Sequence, residues 1–290
     1  MEHKRINSVR IDSLVKNMGE LPTLPSVFFT INKLLSDPHT SAMDVGIAIS
    51  SDQVITSKVL RLVNSAFYGF TSRVSTISHA ISILGFSSTK NVVLTTSILH
   101  SLNLKKPMND FNLMAFWKHS AAVGAIAKLA AAEVFPQKQE EAFVAGLLHD
   151  IGKLILAICA PEDFVECIDL AVKENLLFYE AEQEILGINH AEISARINEK
   201  WRLPPEIATV ITCHHKKIEA SGEHAKLTAI VQVSDVLARG LQFGYACDYS
   251  MPVLSDNILD VLGLTPQKLN FILSESYTAV QNSMIFVTPD

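Results

Sequence analysis

Apolar residues recur at three- and four-residue spacing along most of the chain, and short polar or proline-bearing stretches interrupt them. The segment LPTLPSVFFTINKLLSD places Pro25 at a helix start and keeps helical spacing through Leu35. TSAMDVGIAISS opens with Ser41 and Asp44, the spacing of a capping box. Asp52 is placed to cap QVITSKVLRLVNSAF, which runs into a YGF turn. Ser75 and Ser87 are expected to start TISHAISILG and STKNVVLTTSILHSL, with Gly85 stopping the first of these. NLKKPMND is polar and reads as the connector between two halves. Beyond it, FNLMAFWKHSAAVGAIAKLAAAEVF is expected to be a long helix closed by Pro136, and KQEEAFVAGLLHDIGKLILAICA another, closed by Pro161. EDFVECIDLAVKEN, FYEAEQEIL, NHAEISARINEKW, EIATVITCHH, KLTAIVQVSDVLARGLQFG, SDNILDVLG and TPQKLNFILSESYTAVQNSM continue the helical series. No stretch alternates convincingly with a period of two, so the expected fold is all-α, a multi-helix bundle.

Composition narrows this picture. Of 290 residues 48% are hydrophobic but only 7% aromatic, which favours helices over a β-sandwich. The formal net charge is −6 and no Lys/Arg-rich block appears, so nucleic acid is not an expected partner. The N-terminal MEHKRINSVRID lacks an apolar core after its charges, so no signal peptide is expected. Long apolar stretches such as SAAVGAIAKLAAAEVF carry Lys128 and are too short for a bilayer, so no membrane association is expected. The four cysteines form no C-x-x-C pair, which fits a reduced, cytoplasmic protein.

The candidate chemistry lies in histidine and aspartate. Of ten histidines, His119, His149, His190, His214 and His215 fall on or at the ends of expected helices, interleaved with Asp150 and Asp235. Imidazole with carboxylate suits Fe, Mn, Ni or Zn rather than Ca or Mg. Seven such groups exceed what one tetrahedral ion needs and would serve one or two ions, with Asp150 free to bridge. Paired metals about 3.5–4 Å apart activate water and clamp phosphate oxygens. In LLHDIGKL, the spacing sets His149, Asp150 and Lys153 on one helix face. Burying three ionisable groups is costly unless they are paired or bound to a cation. Lys153 is then placed to hold a substrate phosphate or to neutralise a leaving oxygen. Each residue also has a plainer reading. A lone interior His is commonly a hydrogen-bonded core residue, HH at a helix end can simply answer the helix dipole, and Asp235 can be an internal acceptor. Lys153 can snorkel to solvent and Gly152 can serve close packing.

The same residues carry a family resemblance. HDIGK resembles the central motif of the HD superfamily of metal-dependent phosphohydrolases, including its HD-GYP branch. LLSDP, LRLVNSAFYG followed by ISHAISILG, then AGLLHDIGKL, NHAEISARINEKWRLPPEIATVITCHH and SDVLARG, resemble the HDOD family over Glu20 to Gly240. The resemblance implies an HDOD domain over 20–240, with a helical part at 20–108 packed on an HD-like part at 109–240, and leaves residues 1–19 as an N-terminal helix or extension. A helical segment over 241–290 follows. It also implies a metal set of His119, His149, Asp150, His190, His214, His215 and Asp235. Asp150 and Lys153 take the catalytic roles, Lys153 on the phosphate side. Two functions follow as expectations. One is a bacterial signal-transduction module acting with a signalling protein or a phosphorylated small molecule. The other is an active phosphohydrolase on a nucleotide or other phosphoester. HHKKIEASGEH stands where the HD-GYP branch has D-G-x-G-Y-P, so cyclic di-GMP hydrolysis of that type is not expected. Ala115 lies where some HD-GYP sites draw an acidic ligand, so a third metal is not expected. NSAFYG, Asn64 to Gly69, reads as packing and turn.

Overall fold

The computed structural model describes residues 13–287, apart from 15, 20, 22, 36, 38, 103–110, 219–221 and 249. The connector Asn103–Asp110 and the N-terminal MEHKRINSVRID lie outside the described residues. Within them the regular structure is helical and no strand is formed. By contact the chain divides into two units, one of residues 22–103 with 278–290, the other of 1–21 with 104–277. The expected C-terminal segment 241–290 is therefore divided: its first part belongs with the second half of the chain and its last residues with the first half.

The unit built on residues 22–103 contains α1 (Ser26–Leu34), α2 (Ala42–Ser50), α3 (Gln53–Val63) and α4 (Ile77–Ser101). Ser41 and Asp44 form the expected capping box, and the Asp52 carboxylate accepts from the Val54 and Ile55 amides. The start of α4 is one residue later than expected: the Thr76 hydroxyl, not Ser75, accepts the His79 amide at 3.2 Å. Gly85 takes a left-handed φ of 77° and kinks α4, and the helix resumes ahead of Ser87. In NSAFYG, the Asn64 amide donates to the Leu60 and Val74 carbonyls and its oxygen accepts from the Val74 N–H. Phe67 packs edge-on against Phe286, and Gly69 sits at φ 64°. That segment is thus an Asn-pinned turn.

The other unit carries α5 (Leu113–Val134), α6 (Gln139–Leu148), α7 (Ile151–Cys159), α8 (Pro161–Glu174), α9 (Phe178–Leu186), α10 (His190–Trp201), α11 (Pro205–Cys213), α12 (Glu223–Gly240) and α13 (Ile258–Leu262). The last helix, α14 (Pro266–Ser283), changes unit after Tyr277. Alanines at 121, 122, 125, 127, 130 and 131 are all buried on α5, and small side chains let a neighbouring helix approach closely. The approach to α6 is close at Gly146, where an added Cβ would lie 2.8 Å from the Gly124 Cα.

Two expectations change here. The helix expected to run unbroken through HDIGKL is interrupted: α6 ends at Leu148 and α7 begins at Ile151, with Asp150 at φ −94°, ψ 13°. The apolar stretch Pro136–Cys159 is, by length and composition, sufficient to cross a membrane, but 94% of its most apolar window is buried inside the protein. It is a core element holding His149, Asp150 and Lys153, each fully buried.

Gly146→Ala is expected to force α5 and α6 apart, because the obstructing atoms are backbone. The cost should be about 1–3 kcal/mol in denaturant melts. A variant as stable as the parent would show that the helices separate freely.

Candidate metal centre

The break after α6 determines where the HD pair points. His149 follows the last residue of α6 and its Nδ1–H donates to the Gly146 carbonyl at 2.7 Å, because a carbonyl can only accept. Its Nε2 is thereby turned toward Asp150, buried and without a hydrogen-bond partner. Asp150 follows immediately, with Oδ2 2.9 Å from Lys153 Nζ and 3.3 Å from His149 Nε2. Asp150 Oδ1 faces the other way, 3.1 Å from His190 Nε2 and 3.6 Å from His214 Nε2, and makes no hydrogen bond.

His190 is the first residue of α10, whose Asn189–Glu192 capping box holds the helix start. Glu182 on α9 accepts both the His190 amide (2.8 Å) and its Nδ1–H (2.6 Å), which fixes the ring and turns Nε2 toward Asp150. His214 and His215 follow the last residue of α11. The His214 Nδ1–H donates to the Ile211 carbonyl at 3.1 Å. The Nε2 atoms of His214 and His215 lie 3.2 and 2.8 Å from His190 Nε2. His119 on α5 brings Nε2 to 3.0 Å from Asp235 Oδ1 on α12, yet that nitrogen makes no hydrogen bond.

The expected set of seven therefore converges, but unequally. Asp150, His190, His214 and His215 can present ligand atoms to one ion, and His119, His149 and Asp150 to another, with Asp150 common to both. Asp235 Oδ1 stands beside the second group, 3.0 Å from His119 Nε2 and 3.8 Å from His149 Nε2, and accepts from Arg239 Nε at 2.8 Å. Lys153 is fully buried and does not snorkel. Its ammonium is hydrogen-bonded to Asp150 Oδ2, to the Ala246 carbonyl at 2.9 Å and to Asp248 Oδ2. Those three contacts use its three protons. Gly152 is required by packing: a Cβ there would lie 2.0 Å from the His190 carbonyl oxygen.

The electrostatics favour positive charge at the centre. Burial disfavours the Asp150 charge, but His149 and Lys153 outweigh it and hold the carboxyl well below the usual range. Burial likewise opposes Asp235, and Arg239 and His119 hold it well below that range. Burial opposes protonation of His190, but Glu182 and Asp150 raise it to about 9. Burial, with the neighbouring His149 and His190, lowers His214 to about 4, and burial with His214 and His190 takes His215 well down. The four carboxylates Asp150, Glu182, Asp235 and Asp248 face two permanent cations, Lys153 and Arg239. Two negative charges remain for protons or a metal to answer. Imidazole lone pairs and carboxylate oxygens directed at common points, with a carboxylate excess behind them, are the donor chemistry of a divalent transition metal.

Several contributors had little sequence signal. Glu182 precedes His190 by eight residues across a helix boundary, and Asp248 lies in a loop. Gly244 has φ 73°, and a Cβ there would lie 2.3 Å from the His119 amide nitrogen. Arg239, four residues after Asp235 on one helix, was legible as an i,i+4 pair. Beside His214, His215 and Asp235 opens a cleft of about 810 Å³, also lined by Tyr179, Lys216, Lys217, Gln232 and the Pro252–Asn257 segment. Tyr179 stacks on His215 with ring centroids 4.3 Å apart.

Comparison with known proteins agrees with this architecture. An HDOD domain protein with unknown function from Geobacter sulfurreducens superposes with a TM-score of 0.76, 24% identity, 96% coverage of this chain and 98% of that one. A Shewanella amazonensis SB2B protein, provisionally described as a phosphohydrolase, gives 0.72 at 23% identity, covering 95% and 97%. An uncharacterized protein of Treponema pallidum (strain Nichols) is 25% identical over 230 residues, which are 79% of this chain and 44% of that protein. This chain thus spans under half the length of that relative. The HDOD domain model matches residues 21–217, and the chain belongs to the HDOD domain family.

Proposed function

We propose that the chain is a metal-binding regulatory module of bacterial signal transduction, working in the cytoplasm with a signalling protein or a phosphorylated small molecule. One observation carries this reading. His149, His190 and His214 each spend Nδ1–H on a fixed acceptor and direct Nε2 toward Asp150. Lone pairs crowded about a carboxylate repel one another unless a proton or a cation lies between them. One or two ions of Fe, Mn, Ni or Zn would be held by the His119, His149, Asp150 group and the Asp150, His190, His214, His215 group. A negatively charged chain without a basic stripe argues against nucleic acid as the partner.

The second reading is a phosphohydrolase acting on a nucleotide or other phosphoester. The cleft favours it, since it meets the centre at His214, His215 and Asp235. A bound metal pair supplies an activated water and Lewis acidity in such sites. Lys153 is committed to Asp150 and Asp248, so its part would be to hold Asp150. Lys216 and Lys217, both exposed and lining the cleft, would meet the phosphate.

Elemental analysis of gently purified protein is expected to find one to two equivalents of Fe, Mn, Ni or Zn, and Asp150→Asn to lose them. Absence of metal from the parent after reconstitution with each ion would sink the proposal. Glu182→Gln should leave the fold intact and weaken metal binding about 10–100-fold, the usual effect of removing a carboxylate behind a ligating imidazole. Unchanged affinity would show that Glu182 has no hold on His190 as a ligand. A phosphoester screen of the metal-loaded protein should be blank under the first reading. Turnover above the Asp150→Asn background would establish the second.

A further inference from the structure

The loop between α12 and α13 crosses the back of the centre and then becomes the wall of the cleft. Gly244 lies against the His119 backbone, and the Tyr245 amide donates to the Ala115 carbonyl at 3.0 Å. The Ala246 carbonyl receives Lys153 Nζ. Pro252 to Asn257 then line the cleft. Between these contacts stands Asp248, whose side chain is only 4% exposed. Its Oδ2 accepts Lys153 Nζ from α7 and lies 3.0 Å from Arg239 Nη2 of α12. Its Oδ1 accepts the Phe178 amide at 3.0 Å, the first N–H of α9.

Each of these contacts leads to a different part of the centre. Lys153 holds Asp150 Oδ2, which leaves Oδ1 directed at His190 and His214. Arg239 holds Asp235 Oδ1, the atom beside His119 and His149. The first turn of α9 carries Tyr179, stacked on His215, and the next carries Glu182, bonded to His190. A carboxylate at a helix N-terminus also stabilises that end of the helix.

We infer that Asp248 is a positioning residue for the metal centre, a single buried carboxylate that holds Lys153, Arg239 and the start of α9 in register so that both ligand groups keep their geometry. The inference rests on the metal-binding reading above. Asparagine is nearly isosteric, but it lacks the charge and cannot accept from Lys153 and Arg239 on one side and Phe178 N–H on the other.

The test is a Co(II) titration of the full chain, followed by visible absorption, beside far-UV circular dichroism and thermal melting. Asp248→Asn is expected to retain helicity, weaken Co(II) binding about 10–100-fold and change the position and intensity of the d–d bands. If that variant does not fold, Arg239→Lys serves instead. It keeps the charge, loses the fork joining Asp235 to Asp248, and should change the bands in the same manner. A variant with lower melting temperature but the parent's affinity and spectrum would show that Asp248 merely secures the loop, and would overturn this inference alone. A parent that binds no Co(II) would overturn the metal reading and this inference with it.

Discussion

The Asp150 carboxylate has no exposed surface, and its charge has to be answered from inside the protein. An ionised carboxylate in a core is tolerated only where cations and hydrogen-bond donors surround it. Lys153 supplies one cation from the first turn of α7, three residues on. The rest comes from elements distant in sequence, and their positions follow from that need. Gly152 clears room for the first residue of α10 to approach, so that His190 reaches the carboxylate. The interruption between α6 and α7 lets His149 and Asp150 address different sides of one pocket.

A centre of this kind works against stability. Every buried charge and unpaired lone pair is a cost that the rest of the unit must offset. The offset is visible in the small residues of α5 and in the apolar run from Ala142 to Cys159, nearly all of it buried. Close helix packing at Gly124 and Gly146 also keeps that frame rigid. The most apolar part of the chain is thus also the part that holds its most polar side chains. For that reason a composition that would suit a membrane belongs here to buried core elements.

The centre has a closed side and an open one. On the closed side Lys153, Arg239 and Asp248 form an ion network sealed by the loop after α12. On the open side His214, His215 and Asp235 border the cleft with Lys216 and Lys217. Lys153 lies in the sealed network, although its place in HDIGK suggests a role toward substrate. A buried ammonium with three acceptors has no remaining proton to offer.

Much of this protein was legible along the chain. Helical periodicity and cap signals marked most helices to within a residue or two. The order His119, His149–Asp150, His190, His214–His215, Asp235 pointed to one pocket before any geometry was known, because a folded core has few ways to accommodate that many ionisable groups. Other features were decided only by the tertiary structure. Glu182, Gly244 and Asp248 have unremarkable local sequence, and their importance arises from contacts across long separations. The break within HDIGKL, the sealed position of Lys153 and the pairing of Asp235 with Arg239 beside His119 are likewise matters of placement. Periodicity reports which face of a helix is apolar. It carries no information on which distant backbone will press against a glycine or which loop will supply an opposing charge.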